Sequence, residues 1–245
     1  MIPQSCRIFA LALALSGAAR AQTTLVSNLA QANNAAPTVE TYGISLSYLH
    51  STGFTTGSAA MTLSSATAPL HLMGLSGDQA TIVAYLFSSN GSIPTATGSG
   101  GLLATSSNSV TIDSATSGFA NYTFTFSTAP ALAASTTYDF VLGVTSKSSS
   151  NANLQWGATT DLSESGLSGW SIADGYGLSS DSGASWQLSL DAASHRFSLS
   201  GDAAAIPEPS TSCTVIGSAA LLAAFTIRRK LKPEAQRKKA RSSHV

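Results

Sequence analysis

The chain has 245 residues, of which 43% are hydrophobic, 7% aromatic and only 10% charged. A typical soluble protein carries about 25% charged residues, so an ordinary cytoplasmic enzyme and a coiled coil are both poor fits, and a Ser/Thr/Gly/Ala-rich exported β protein is the better one. The formal net charge is zero, yet from Gln22 to Ile206 two basic residues face ten acidic ones, a net of −8 that excludes nucleic acid as a partner of that stretch.

At the N-terminus, Arg7 precedes the apolar run Ile8 to Leu15, and Ser16-Gly17 leads to the small-x-small triplet Ala19-Arg20-Ala21. A basic start, a short apolar stretch and small residues at a cleavage point make residues 1–21 a secretory signal peptide, too short to span a bilayer. Ala19 and Ala21 mark the expected cut, leaving Gln22 first. Cys6 departs with the signal and Cys213 lies in a C-terminal apolar segment. The domain between them has no thiol, which rules out a disulfide framework, a cysteine-ligated zinc and a cysteine nucleophile there.

Residues 22–202 read as many short strands separated by Ser/Gly/Asn turns, an all-β domain of β-sandwich, jelly-roll type. Alternation is clearest in Tyr122-Thr-Phe-Thr-Phe126 and in Tyr138-Asp-Phe-Val-Leu-Gly-Val144, where Tyr138, Phe140, Leu142 and Val144 share a face; both are expected core strands. Further strands are expected over Thr24 to Leu29, Ile44 to Leu49, Met61 to Leu63, Leu70 to Leu75, Thr81 to Phe87, Leu102 to Thr105, Leu154 to Ala158, Ser185 to Leu190 and Arg196 to Leu199. Asn90-Gly91 and Gly98 to Gly101 supply turns.

Chemistry-bearing patterns are sparse in this middle region. Of His50, His71, His195 and His244 no two have metal-ligand spacing; His71 alternates with apolar neighbours as an outward strand residue, and His195 beside Arg196 reads as a surface residue. No G-x-S-x-G elbow is present, so a serine hydrolase is not indicated and no enzyme activity is expected. The loop carboxylates Asp161, Glu164, Asp174 and Asp181 are solvated residues first; a structural calcium is the one ion they would suit, and no other cofactor is expected. Trp156, Trp170, Tyr176 and Trp186 gather late in the chain, where they either fill the core or form an aromatic platform for a sugar.

The C-terminus reads Pro207-Glu208-Pro209, then an uncharged apolar segment over residues 212–227, then Arg228-Arg229-Lys230. As a helix of about 1.5 Å per residue, that segment makes a short transmembrane span, and the basic cluster fixes residues 228–245 as a cytoplasmic tail. Residues 203–211 form the linker. This order of motif, span and arginines closely resembles the PEP-CTERM sorting signal of exopolysaccharide-producing Gram-negative bacteria. The resemblance implies that Pro207, Glu208 and Pro209 are read by an exosortase, a membrane transpeptidase-like protease, which cleaves nearby and passes the ectodomain to the cell envelope, surface or exterior. Here the tail runs on well past the arginines, which departs from that pattern.

The middle resembles the choice-of-anchor R type of extracellular domain, through Leu25-Val-Ser-Asn-Leu29, Phe54-Thr-Thr-Gly57, Val83-Ala-Tyr-Leu-Phe87, Tyr122-Thr-Phe124, Thr137-Tyr138, Trp156, Gly169-Trp-Ser-Ile172 and Ser185-Trp186. That likeness implies a surface or secreted role without assigning an activity. The resulting expectation is an anchored structural component of the envelope or an exopolysaccharide matrix, with a carbohydrate-binding, lectin-like module and a surface polysaccharide hydrolase as the alternatives.

Overall fold

The computed structural model describes residues 22–34, 48–91, 93–189 and 193–203. The expected signal peptide with Ala19 and Ala21, the strand start at Ile44, the PEP motif, the apolar span and the basic tail lie outside those residues. Within them the protein is all-β. In chain order the strands are β1 (Thr23–Ser27), β2 (Leu49–Thr55), β3 (Met61–Met73), β4 (Gln79–Ser88), β5 (Leu102–Thr105) and β6 (Val110–Asp113). There follow β7 (Ala120–Thr125), β8 (Ala131–Leu132), β9 (Thr137–Lys147), β10 (Asn153–Trp156), β11 (Ala158–Thr159) and β12 (Ser165–Gly166). The last are β13 (Ser171–Ile172), β14 (Tyr176–Ser179), β15 (Gln187–Ser189), β16 (Ser194–His195) and β17 (Ser198–Ala203).

Every pairing among them is antiparallel, and two large sheets result. In the first, β7 and β8 lie along one edge of β3, β17 and β10 along the other, and β1 and β12 continue beyond β17. In the second, β5 and β6 lie along one edge of β4, followed by β9 and β2; β14 and β13 then share the far edge of β2, and β15 extends from β14. The two-residue strands β11 and β16 pair with each other.

The period-2 pattern puts alternate side chains on one face, and the inner faces of both sheets share one core. Leu63, Ala66, Ala68, Leu70 and Leu72 of β3 and Phe124 of β7 meet Ile82, Ala84 and Leu86 of β4 and Tyr138, Phe140, Leu142 and Val144 of β9. The alternating segments singled out in sequence thus supply core strands. Met61 to Leu63 and Leu70 to Leu75, two strands by sequence, belong to the single strand β3, whose Ser-Ser-Ala-Thr-Ala centre is held by β17 on one edge and β7 on the other. Pro69 is tolerated inside β3 because its carbonyl accepts from Gly157 at the junction where β17 gives way to β10; the missing N–H faces that same gap.

Candidate functional site

Strand β2, Leu49-His-Ser-Thr-Gly-Phe-Thr55, is buried along nearly its whole length although its centre is polar. Its register against β9 sets which side chain goes where. His50, Thr52 and Phe54 sit opposite Leu142, Phe140 and Tyr138 and face the core, whereas Leu49, Ser51 and Gly53 sit opposite Gly143, Val141 and Asp139 on the outer face. Buried polar groups cluster on both sides of this strand, and buried polar groups without partners are where a fold departs from its own packing rules.

On the inner side the centre is His195. Pairing of Ala158 with His195 and of Thr159 with Ser194 carries the ring inward, and Asn28 locks the segment: its amide donates to the His195 carbonyl at 3.1 Å and accepts from the Phe197 N–H at 2.7 Å. The imidazole stacks on Trp156 at 4.3 Å between centroids with planes 4° apart, and lies 4.9 Å from Tyr176 and 5.6 Å from His50. Trp156 is itself fixed by a 2.7 Å hydrogen bond from its indole N–H to the Arg196 carbonyl. The expectation that His195 is a surface residue is corrected: it is 1% exposed, and neither ring nitrogen has a hydrogen-bond partner. Burial, and secondarily the neighbouring His50, hold its pKa well below the ordinary histidine value. The ring is therefore neutral at pH 7 and serves as an aromatic plate, with no carboxylate to orient it as a base.

On the outer side Asp139 lies between Gly53 of β2 and Phe87 of β4. It is 1% exposed, and both carboxylate oxygens lack a hydrogen bond of proper geometry. Burial pushes the carboxyl up to about 6, offset only in part by the nearby Ser89 and Ser51 hydroxyls. Ser51 Oγ is buried and unpaired too, under the backbone of Gly177 and near Pro94, and the indole N–H of Trp186 is likewise buried without a partner.

Beside this polar group the same outer face carries a second, small apolar cluster of Leu49, Phe87 and Val141 with Tyr85 and Trp186 packed against it. A pocket of about 310 Å³ opens above it, lined by Leu49, Tyr85, Phe87, Thr97, Thr145 and Ser182 among others. Gly143 lets Leu49 and Tyr85 close over the sheet beneath it: a Cβ there would lie 2.5 Å from Leu49 Cδ2 and 3.1 Å from Tyr85 Cε2. The mouth is set by the segment around Thr97, whose N–H and hydroxyl reach the Gly183 carbonyl at 2.9 and 3.3 Å.

The four aromatic residues read from sequence as a candidate platform do not share a surface. Trp156 and Trp170 are core residues, the latter stacked on Phe54 at 6.2 Å. Tyr176 is half-buried against His195, and Trp186 packs edge-on against Phe87 on the opposite side of the sheet. The carboxylates do not converge either. Asp161 accepts from the Ser163 N–H, Glu164 from the Ile172 N–H, and Asp181 from the Ser179 and Ser185 hydroxyls and the Ser185 N–H; Asp174 is exposed. The Ser163 hydroxyl, then its N–H, hold Asp161 below its ordinary value, and the Ser185 hydroxyl leads in holding Asp181 down to about 2. Among the described residues no three His, Cys, Asp or Glu side chains are grouped to hold a metal ion, and no helix is long and apolar enough to cross a membrane. His71 is half-buried, its ring beside Phe119 and Gln155.

Asp139 and the pocket residues were not legible as a site. Asp139 reads in sequence as the outward polar residue of an alternating strand; only the segments folded over the outer face bury it. No family model matches the chain, and no curated protein does.

Proposed function

We propose that the chain is an exported surface protein whose β domain is delivered by a cleavable signal peptide, held briefly by the C-terminal apolar span, and handed to the envelope or extracellular matrix after an exosortase acts near Pro207-Glu208-Pro209. The domain is a structural component of a polysaccharide-containing surface layer, not a catalyst. Its architecture is a jelly roll: the strand orders β1-β17-β3-β7 and β2-β9-β4-β5 are those of eight strands wound alternately into two four-stranded sheets.

The observation that supports this reading best is where the described strands begin and end. The first described strand starts at Thr23, two residues after the expected signal cleavage, and the last described strand ends at Ala203, four residues before Pro207. Both expected cuts thus fall outside the described strands. The first and last strands are neighbours, with Thr23 opposite Gly201, so trimming at both ends leaves the pairing between them intact.

Mass spectrometry of the protein from native membrane, envelope and extracellular fractions tests it. The expected mature form begins near Gln22 and ends near the PEP motif. A form that keeps residues 228–245 in every fraction refutes the exosortase step, and an intact Met1 refutes export.

A further inference from the structure

We propose that the outer-face pocket over β2, β9 and β4 binds one neutral sugar ring. The inference rests on the matrix reading only for the source of that sugar, and the residues involved are distinct from the late aromatic cluster noted in the sequence.

The pocket's chemistry selects the ligand class. A volume of about 310 Å³ is at the lower end of the range for small-molecule sites, about 300–1,000 Å³, room for a single ring and not for a buried chain. Its base is apolar and its one part-exposed aromatic ring is that of Tyr85, set edge to face on the buried Phe87 at 6.4 Å, with Leu49 beside them and Trp186 packed against Phe87. Its hydroxyls come from Thr97, Thr145 and Ser182, with the exposed Leu102 beside them, and among the described residues no charged side chain lines it. An ionised ligand would be desolvated there without a counter-charge. A pyranose offers the matching pair of surfaces, a flat face of C–H bonds for the aromatic base and a ring of neutral hydroxyls for the rim.

Two hydroxyls are unspent in the fold. Tyr85 is half-buried and makes no hydrogen bond among the described residues; burial raises its pKa, so it stays a neutral donor. Ser182 is exposed at the rim, also without a hydrogen bond among the described residues, and it holds a left-handed backbone at φ 59° that glycine occupies more readily. The mouth needs no large closure, since Thr97 already ties its segment to Gly183.

The test is titration of the purified full chain, followed by tryptophan fluorescence with Trp186 beside the pocket and by calorimetry. The probes are the methyl glycosides of glucose, galactose, mannose and N-acetylglucosamine, with glucuronate and glucosamine as charged controls. At least one neutral glycoside is expected to bind saturably, at least tenfold tighter than either charged control. Ser182→Gly, which relaxes the backbone and so keeps the fold, is expected to weaken it about fivefold, the loss of one hydrogen bond. Tyr85→Leu, which keeps the apolar filling and removes the flat face, is expected to abolish it. The proposal is overturned if none of the neutral glycosides binds at millimolar concentration, if a charged control binds as tightly, or if both variants bind like the parent. Any of those results leaves the processing of the two chain ends untouched, because that is read from the termini alone.

Discussion

Asp139 lets the burial of the outer face be measured. Its carboxyl titrates at about 6 in the fold against an ordinary value of 3.8, so the folded state binds the proton more tightly than the unfolded chain does. For an acid with a raised pKa the sign is fixed: the protein gains stability as pH falls from about 6 towards 3.8 and carries the full penalty above 6. At about 1.4 kcal/mol per pH unit, that penalty is about 3 kcal/mol at pH 7.5. Asp139→Asn keeps the shape and removes the charge. The variant is therefore expected to be more stable than the parent by about 3 kcal/mol at pH 7.5, with the difference shrinking to near zero at pH 4. Urea unfolding of both proteins from pH 4 to 8 gives the curve, and subtracting one from the other cancels every other titrating group. A flat difference across that range, or an Asn variant less stable than the parent at pH 7.5, would mean that Asp139 has charged partners or solvent in the folded protein, and the reasoning would fail.

His195 works in the opposite sense. Its buried ring refuses a proton that the unfolded chain accepts near 6.5, so in the Asp139→Asn background stability is expected to fall as pH drops below that value. His195→Phe, which keeps the stack on Trp156, should flatten that limb by up to about 1.4 kcal/mol per pH unit, read from urea midpoints between pH 5 and 7. Asn28→Ala removes both side-chain hydrogen bonds that seat the His195 segment and strands a buried carbonyl and N–H; a loss of about 3 kcal/mol is expected by the same assay.

How much of this was legible depends on what each residue's pattern reports. The alternation of β7 and β9 names their inward residues because an aromatic or aliphatic side chain at every second position has one burial solution. The same logic misreads β2: His50, Ser51 and Thr52 break the alternation, and the strand is set by backbone pairing with β9 and by the cover that later segments bring. Sequence placed a strand end at Leu49, where β2 begins. His195 misleads in the same way, since Ser-His-Arg is polar in every local window and its burial comes from Trp156 and Asn28, which are distant in the chain. The pocket has weaker signals still. Gly143 and Gly177 matter through the absence of a side chain, which allows Tyr85, Leu49 and Ser51 to close up, and nothing near them in sequence says so.

The polar character of β2 becomes intelligible from the topology. In the four-strand order β2-β9-β4-β5, β2 is an edge, and polar residues on an edge strand discourage pairing with other chains. The connection from β9 to β17 changes its situation. That connection carries β10 to β16, and it adds β14 and β13 along the open edge of β2 while bringing His195 to the inner face and Trp186 to the outer. An edge-type sequence thereby ends up internal, with polar groups on both faces enclosed by that connection together with the β4–β5 segment around Pro94 and Thr97. Buried polar groups of this kind weaken a core unless all are satisfied, so the fold places its strain where the connection packs against β2 and leaves the β3-β4-β9 core apolar. Variation in the β9–β17 connection would alter the inner plate and the Ser182 side of the pocket rim together, without touching the strands β3, β4 and β9.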